Sequence, residues 1–295
     1  MANLKDLQTR ISSVKSTQKI TRAMQMVAAA KLRRSQERAE AARPYSTRIA
    51  GVLTNLAASV KDSPSAPRLL AGTGKDDVHL LVVATADRGL CGGFNSSIVR
   101  LAKVKIAELQ GEGKEVKLFL IGKKTSDLMK RQYSNIIVEA RDFAGIRDVT
   151  FDYAQQAGEH IVEMFENGEF DVCTIFYSSF VSVVTQNPTT HQLIPPTIDG
   201  ADDADGEAVA VSPYDYEPDE EEILDKLLPL NLNAQIFRAI LENAASEQGA
   251  RMSAMDNATR NAGDMIENLT MVFNRTRQAK ITTELIEIIS GAESL

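Results

Sequence analysis

The longest regular pattern in the chain lies in residues 255–279, which read MDNATRNAGDMIENLTMVFNRTRQA. Apolar or small residues recur there in alternating steps of three and four, at Met255, Ala258, Ala262, Met265, Leu269, Val272, Thr276 and Ala279. A repeat of this kind is typical of a helix that packs along a second helix. We therefore predict one long helix from about residue 231 to residue 290, paired as half of a coiled coil.

A second helical pattern lies at the other end of the chain, where residues 3–43 contain no Gly and no Pro. Its first apolar residues repeat the steps of three and four, at Leu4, Leu7, Ile11 and Val14. The next positions in phase are polar, at Gln18, Thr21 and Gln25, and a new stripe begins with Ile20, Met24, Val27 and Ala28. We expect the contact face to rotate along this helix. Pro44 predicts a kink, beyond which the helix resumes.

The lengths of the two terminal helices predict a projecting pair. A helix rises about 1.5 Å per residue, so the second helix would span roughly 90 Å and residues 3–43 roughly 60 Å. A compact globule of 295 residues is only roughly 50 Å across. Because isolated helices are marginal in water, we expect the two to form an antiparallel coiled coil. The small residues between Ala244 and Ala254 would let the two backbones approach closely.

The end of the second helix is apolar nearly all round, with Ile281, Leu285 and Ile289 among its large residues. The first helix is too short to cover these turns, so they predict a tip that another protein encloses. Basic residues precede the tip, at Arg275, Arg277 and Lys280. We expect Lys15, Lys19 and Arg22 to lie near this basic collar, and the enclosing sleeve to have an acidic rim.

Residues 77–198 have the alternating texture of an α/β domain. We predict strands at residues 78–84, 116–121, 135–139, 171–177 and 180–186, and helices at residues 96–110, 125–131 and 152–166. The fold class is therefore α/β, with a central Rossmann-like, parallel-rich sheet inserted between the long terminal helices. The expected division is an N-terminal coiled-coil helix (1–60), a linker (61–76), the α/β domain (77–198), an acidic loop (199–219) and a C-terminal coiled-coil helix (220–295).

The net charge of −7 is unevenly spread along the chain. Residues 1–57 hold eleven Lys or Arg and three Asp or Glu, whereas residues 199–222 hold eleven Asp or Glu and no basic residue. The basic first helix lacks interleaved aromatic residues, which argues against nucleic-acid binding. The two cysteines, Cys91 and Cys173, match no disulfide framework or metal motif and are expected to be reduced thiols. No apolar run is long enough for a membrane span, and no signal segment is visible at the start.

A glycine-rich turn, Asp87-Arg88-Gly89-Leu90-Cys91-Gly92-Gly93, follows the first predicted strand. Such a turn could cradle a phosphate, but it does not match the dinucleotide-binding or P-loop spacings. The three histidines are scattered through the sequence and suggest no catalytic or metal set. We therefore expect no catalytic residue, no cofactor and no metal in this chain.

Three separated segments of the chain form a recognisable set. The first is residues 17–32, which read TQKITRAMQMVAAAKL, and the second is the glycine-rich turn at residues 87–93. The third is residues 281–284, reading ITTE, followed by Glu287, Gly291 and Ala292. Together they resemble the gamma subunit of F-type ATP synthase, and the resemblance covers the whole chain in order. It implies a non-catalytic rotor shaft inside a ring of three alpha and three beta subunits, with its globular end on the epsilon subunit and the membrane c-ring.

The resemblance also implies subunit contacts for particular residues. Arg22 and Met24 would face the acidic lever loop of a beta subunit, and Arg277 and Gln278 would engage a catch loop. Further helix and ring contacts are implied for Arg251, Thr282 and Glu284, and the turn that carries Cys91 would approach the base of a beta subunit. The c-ring side is implied for Tyr214, Asp215, Tyr216 and Glu217. The family places the chain peripherally, on the cytoplasmic face of a bacterial inner membrane or on the matrix face in a mitochondrion.

Residues 199–212 depart from the family pattern, because this stretch is longer and more acidic than the resemblance leads us to expect. Two other function classes stay open at this point. One is a nucleotide-dependent enzyme with helical arms, which would bind nucleotide as an isolated chain. The other is a coiled-coil tether, which would dimerise through its rods.

Overall fold

A computed structural model describes residues 3–60, 67–144, 146, 149–196 and 220–293. In chain order the elements are α1 (Leu4–Val60), α2 (Arg68–Ala71), β1 (Val78–Ala84), α3 (Phe94–Gly111), β2 (Glu115–Ile121), α4 (Lys123–Tyr133), β3 (Ile137–Arg141), α5 (Phe151–Glu166), β4 (Val172–Phe180), β5 (Gln186–Ile194) and α6 (Glu220–Glu293). Both terminal helices are continuous, so α1 passes through Pro44 and α6 passes through Pro229 without ending. The two helices are about 85 Å and 110 Å long.

The described strands form one five-stranded sheet in the order β3-β2-β1-β4-β5. The first four strands are parallel, and β5 runs antiparallel to β4 at the edge. Helix α5 and the first third of α6 cover one face of the sheet, where Phe165 and Ile236 are fully buried. Helices α3 and α4 cover the other face, where Ile98 and Met129 are fully buried. The predicted α/β domain with a parallel-rich sheet is confirmed.

The predicted strand at residues 180–186 is wrong. Phe180 ends β4, residues 181–185 form the turn of a hairpin, and the fifth strand is Gln186–Ile194. Polar residues and Pro188 fill that strand, and only its end is buried. An edge strand tolerates this composition because one side of its backbone needs no partner strand.

The two long helices run antiparallel, as predicted. Thr21 faces Thr259, Gln25 faces Asp256, and Leu53 packs in a cluster with Leu228 near the start of α6. The numbers of facing residues therefore add up to about 280 along the pair. On this register the first residue of α1 lies opposite about residue 276, and the rest of α6 extends past the end of α1.

The contact face of α1 does not rotate, contrary to the expectation from its apolar residues. The buried or half-buried positions keep one phase along the helix, at Leu4, Leu7, Ile11, Val14, Gln18, Thr21, Gln25, Ala28, Leu32, Ser35 and Ala39. Ile20 and Val27, from the predicted second stripe, are exposed by 59% and 57%. Polar residues hold the middle of the seam because they find hydrogen-bond partners on α6, which a count of apolar residues could not show.

The seam of α6 is partly different from the one predicted. Its buried or half-buried positions beyond residue 254 in the contact phase are Met255, Thr259, Ala262, Ile266, Leu269, Phe273 and Thr276. Every second position of the predicted stripe is therefore present. The predicted positions between them are not in the contact phase with α1, and two of these, Met265 and Val272, are about half exposed.

Candidate interaction surfaces

The tip, which we define as Arg277–Ser290 of α6, has every residue exposed. Its five large apolar residues are between 49% and 68% exposed, and they are Ile281, Leu285, Ile286, Ile288 and Ile289. Consecutive residues of a helix are about 100° apart, so these five side chains cover about half of its circumference, and Lys280, Glu284 and Glu287 lie on the other half. The expectation of a tip that is apolar nearly all round is therefore wrong. An isolated helix with this much exposed apolar surface is the mark of a binding site for another protein.

The polar side chains predicted as contacts in the tip are also free to meet a partner. Arg277 and Gln278 are exposed, and Glu284 forms a 3.6 Å ion pair with Lys280 on the same helix. The Thr282 hydroxyl donates a hydrogen bond to the carbonyl of Gln278. Such exposed pairs within one helix contribute little to stability, so these side chains can exchange them for contacts with a partner.

The expected grouping of Lys15, Lys19 and Arg22 with the basic collar is wrong. The register places Arg22 opposite about residue 258 of α6, close to the Thr21–Thr259 contact. About eighteen helical residues separate that level from Arg275 and Arg277, which corresponds to roughly 27 Å. The two basic groups therefore lie at different heights on the coiled coil.

A second exposed surface, the outer stripe, lies on the side of α1 turned away from α6. It consists of Ile20, Met26 and Val27, each exposed by between 57% and 62%. Arg22 is exposed beside it, and Met24 is half-buried at its edge. Sequence reasoning named Ile20 and Val27 as buried residues, and the only signal that could have placed them outside is the unbroken phase of the polar seam.

The joint, which we define as residues 231–255 of α6 and the parts of the α/β domain that they contact, is buried. The Asn243 carboxamide oxygen accepts a 3.1 Å hydrogen bond from the backbone amide of Ser178, and the Ser246 hydroxyl donates a 2.9 Å bond to the Ser178 carbonyl. A Cβ at Gly249 would lie 3.3 Å from the Phe180 ring. The small residues of this stretch therefore bring α6 close to β4 and β5, whereas the sequence led us to expect a close approach to α1.

The glycine-rich turn at residues 87–93 belongs to the joint. Gly92, at a φ of +58°, lies so close to α6 that an added Cβ would be 3.7 Å from Ala254. The Arg251 guanidinium donates to the Gly89 carbonyl at 3.2 Å and pairs with Glu247 at 2.6 Å. The Arg251 side chain is only 11% exposed, so in this chain it fastens the turn to α6.

Cys91 is buried beneath that turn, at 2% exposure. Burial raises the pKa of its thiol, and the Asn95 carboxamide donates a 3.2 Å hydrogen bond to the sulfur. The residues of this turn that are exposed to a partner are Leu90, which is 64% exposed at a φ of +64°, together with Arg88, Gly89, Gly92 and Gly93. The contact itself stays a prediction.

Backbone amides on either side of this turn donate hydrogen bonds to side chains of the same chain. Asn95 accepts the amide hydrogen of Ala86, and the Asp87 carboxylate accepts those of Lys123 and Phe143. These hydrogen bonds hold the ends of the turn to α3, α4 and the segment after β3, and whether the turn binds a phosphate is not tested by them. Among the described residues, no group of three or more His, Cys, Asp or Glu is arranged to hold a metal ion.

Four predicted c-ring residues, Tyr214, Asp215, Tyr216 and Glu217, lie outside the described residues, as does most of the acidic segment. The nearest described feature is a cluster in which the start of α6 packs against the end of α1 and α2, with Leu224 fully buried beside Leu53 and Leu70. In the part of the chain that the structure describes, no helix is long and apolar enough to cross a membrane.

The profile of the ATP synthase family matches residues 3–295. The chain is 59% identical over 295 residues to the ATP synthase gamma chain of Rhizobium leguminosarum bv. trifolii, and 61% identical over 296 residues to that of Parvibaculum lavamentivorans. Both alignments cover all of this chain and all of the relative. The chain belongs to the ATP synthase gamma chain family. The family predicted from three short segments is thereby confirmed over the full length.

Solved structures of mitochondrial ATP synthases share the fold of this chain. The fold matches a chain of the Tetrahymena thermophila mitochondrial ATP synthase central stalk and c-ring structure with a TM-score of 0.60 and 25% identity, covering 81% of this chain and 99% of that chain. It also matches a chain of the Euglena gracilis mitochondrial ATP synthase OSCP/F1/c-ring structure in rotational state 3, with a TM-score of 0.68 and 20% identity, covering 99% of this chain and 94% of that chain. The second match bears on the fold alone.

Proposed function

We propose that this chain is the central rotor shaft of a proton-translocating ATP synthase. It would couple rotation of the c-ring to conformational changes at the catalytic sites of a ring of three alpha and three beta subunits. The observation that carries the proposal is the overhang of α6, whose tip exposes five large apolar side chains and has no partner within the described chain. A bearing surface of this kind is what a shaft needs inside a sleeve.

The proposed chain has no active site of its own, and its contribution to catalysis is mechanical. Torque would enter at the α/β domain and pass through the joint into the coiled coil. The buried hydrogen bonds between β4 and α6 support this path, because they tie the domain to the middle of the shaft. Asymmetric contacts of the rotating shaft would then favour a different conformation at each of three sites, which is a coupling free energy between distant sites.

We place the epsilon subunit and the c-ring at the globular end, with no nucleic acid among the partners and no direct insertion into the membrane. In a bacterium the complex would lie on the cytoplasmic face of the inner membrane, and in an organelle on the matrix face. The bacterial origin of the relatives supports the first setting.

The test is affinity capture of the tagged full chain from gently solubilised host membranes, followed by mass spectrometry of the intact complex. We expect one copy of this chain with three alpha and three beta subunits. Capture of the chain alone with bound nucleotide would contradict the proposal and favour an enzyme. Capture as a homodimer held by its rods would contradict it in favour of a tether.

A further inference from the structure

Over residues 17–28 of α1, polar side chains face α6 and large apolar side chains face solvent. The residues of α1 that face α6 there include Gln18, Thr21 and Gln25, whereas the apolar outer stripe faces away. Hydrophobic burial alone would favour the opposite arrangement. The polar residues must therefore gain something specific from their places in the seam.

Their contacts to α6 are directed hydrogen bonds. The hydroxyls of Thr21 and Thr259 lie 2.7 Å apart, and Thr21 is only 9% exposed. The Gln18 carboxamide donates to the Thr259 carbonyl at 3.4 Å, and that of Gln25 donates to the Asp256 carboxylate at 3.1 Å. We call these five residues the polar layer.

We propose that the polar layer fixes the axial register of the coiled coil, and with it the length of α6 that extends unsupported beyond the start of α1. Both helices repeat their seam every seven residues, so a slip of one heptad would bring apolar positions against apolar positions again. Within the projecting part of the pair, a rung with matched polar partners distinguishes the native register from the slipped ones, in addition to the cluster of Leu53 with Leu228 at the other end of α1. A slip of seven residues would place Thr21 against Met252 or Ile266, neither of which offers a side-chain partner.

The rest of the seam discriminates less between registers. Toward the α/β domain, α1 presents small residues such as Ala28, Ser35 and Ala39, which fit opposite many side chains. Toward its beginning, α1 presents Leu7, Ile11 and Val14, which any apolar rung of α6 would accept. A buried polar pair differs from these residues because an unpartnered polar group carries a desolvation penalty.

The consequence for the tip rests on the proposed function as a shaft. Helix α6 is fastened to the α/β domain at the joint, and α1 begins opposite about residue 276. A slip of seven residues would change the unsupported length of α6 by about 10 Å, and would move the outer stripe by the same amount relative to the tip. An enclosing protein that contacts both α1 and α6 could then fit one helix or the other, but not both at the same time.

The test measures the register of the full chain by electron–electron distance spectroscopy. Spin labels are attached to cysteines introduced at the exposed positions Ser13 and Thr282, whose levels on the coiled coil are about fifteen residues, or roughly 22 Å, apart, so that an axial slip changes the distance almost fully. Cys91 and Cys173 stay unlabelled because they are buried. The apolar-layer variant carries Gln18→Leu, Thr21→Val, Gln25→Leu and Thr259→Val. A milder variant carries Thr21→Val and Thr259→Val alone, and circular dichroism establishes that each variant is folded.

The wild-type chain is expected to give one distance, and the apolar-layer variant a second population shifted by up to about 10 Å. A matched control with Thr9→Val and Thr270→Val removes two exposed hydroxyls that bond only to their own helices, and should keep the single distance. A single unshifted distance in both layer variants would overturn the proposal. Since the measurement needs no partner subunit, it stands or falls separately from capture of the alpha and beta subunits.

Discussion

Two stretches of the same helix show opposite relations between composition and burial. Residues 231–255 of α6 are rich in Asn, Ser, Gln and Ala and are mostly buried, whereas residues 277–290 hold five large aliphatic residues and are exposed throughout. In the joint the chain's own sheet provides partners for buried polar atoms of Asn243 and Ser246. The tip leaves apolar atoms in water, which makes sense when a separate subunit covers them. The buried stretch thus makes contacts within the chain, and the exposed apolar stretch is the one available for contacts with another subunit.

The predictions below change one of these stretches at a time, and they are ordered by the expected loss in the free energy of unfolding of the isolated full chain. The joint should be sensitive to removal of single polar atoms. The tip should be insensitive even to several substitutions, and its changes should appear only when partner subunits are present.

Asn243→Ala should cause the largest loss of stability. It removes a buried side chain and leaves the Ser178 amide without its acceptor, so the free energy of unfolding should fall by about 2–4 kcal/mol. Urea titration followed by circular dichroism measures this. The matched control is Asn274→Ala, the same change at an exposed position of the same helix, which should have an effect of less than about 0.5 kcal/mol. Equal losses in the two variants would contradict the distinction between joint and tip.

Arg251→Gln should loosen the joint at the glycine-rich turn. It removes the guanidinium that contacts Gly89 and Glu247, with an expected loss of about 1–3 kcal/mol. Opening of the turn would expose Cys91, whose thiol reacts slowly in the native chain because burial shields it and raises its pKa.

The rate of thiol labelling under native conditions measures this opening. Cys91 should react faster in the Arg251→Gln variant than in the wild type, whereas Cys173, fully buried within the sheet, should remain slow in both. A cysteine introduced at Thr282 in the tip should react at the rate of a free thiol. If Cys91 reacts equally slowly in both chains, Arg251 does not hold the turn closed.

The parts of this architecture that could be predicted from sequence are those set by local periodicity. The strand at Val78–Ala84 and the helix at Phe151–Glu166 follow from continuous or periodic apolar residues, and the antiparallel pair follows from helix length. Strand β5 could not be predicted because it lies at the edge of the sheet, where polar residues and Pro188 are tolerated and the usual apolar pattern of a strand is absent. The family, and with it the expected role as a rotor shaft, could be predicted from three short motifs spread over the chain.

The places where the sequence misled are those where a partner surface decides the packing. The outer stripe looked like a core stripe because Ile20 and Val27 are apolar, but neighbouring polar residues found better partners on α6. The small residues near Gly249 also pack against β4 and β5, a contact that the sequence did not indicate. Both contacts are tertiary, and periodicity does not encode them.

Ile281→Ser, Leu285→Ser and Ile289→Ser together should leave the isolated chain as stable as the wild type, within about 0.5 kcal/mol, because all three side chains are exposed. The triple variant should be more soluble, and it should capture less of the alpha and beta subunits from solubilised membranes. Urea titration and the capture assay measure the two effects. A large loss of stability would mean that the tip packs on the chain's own surface, and unchanged capture would show that the tip is not the bearing.

Arg277→Ala with Gln278→Ala should have the smallest effect on the chain itself, since neither side chain contributes to a buried contact. In the assembled enzyme, however, the resemblance to the gamma family predicts a catch contact at these two residues. The rate of coupled ATP synthesis in membrane vesicles should therefore fall, while urea titration of the isolated variant gives the wild-type curve. The control is Gln8→Ala with Arg10→Ala, the same change at two exposed positions of α1 outside the tip. Wild-type synthesis by the Arg277/Gln278 variant would remove the catch role and leave the apolar residues as the functional part of the tip.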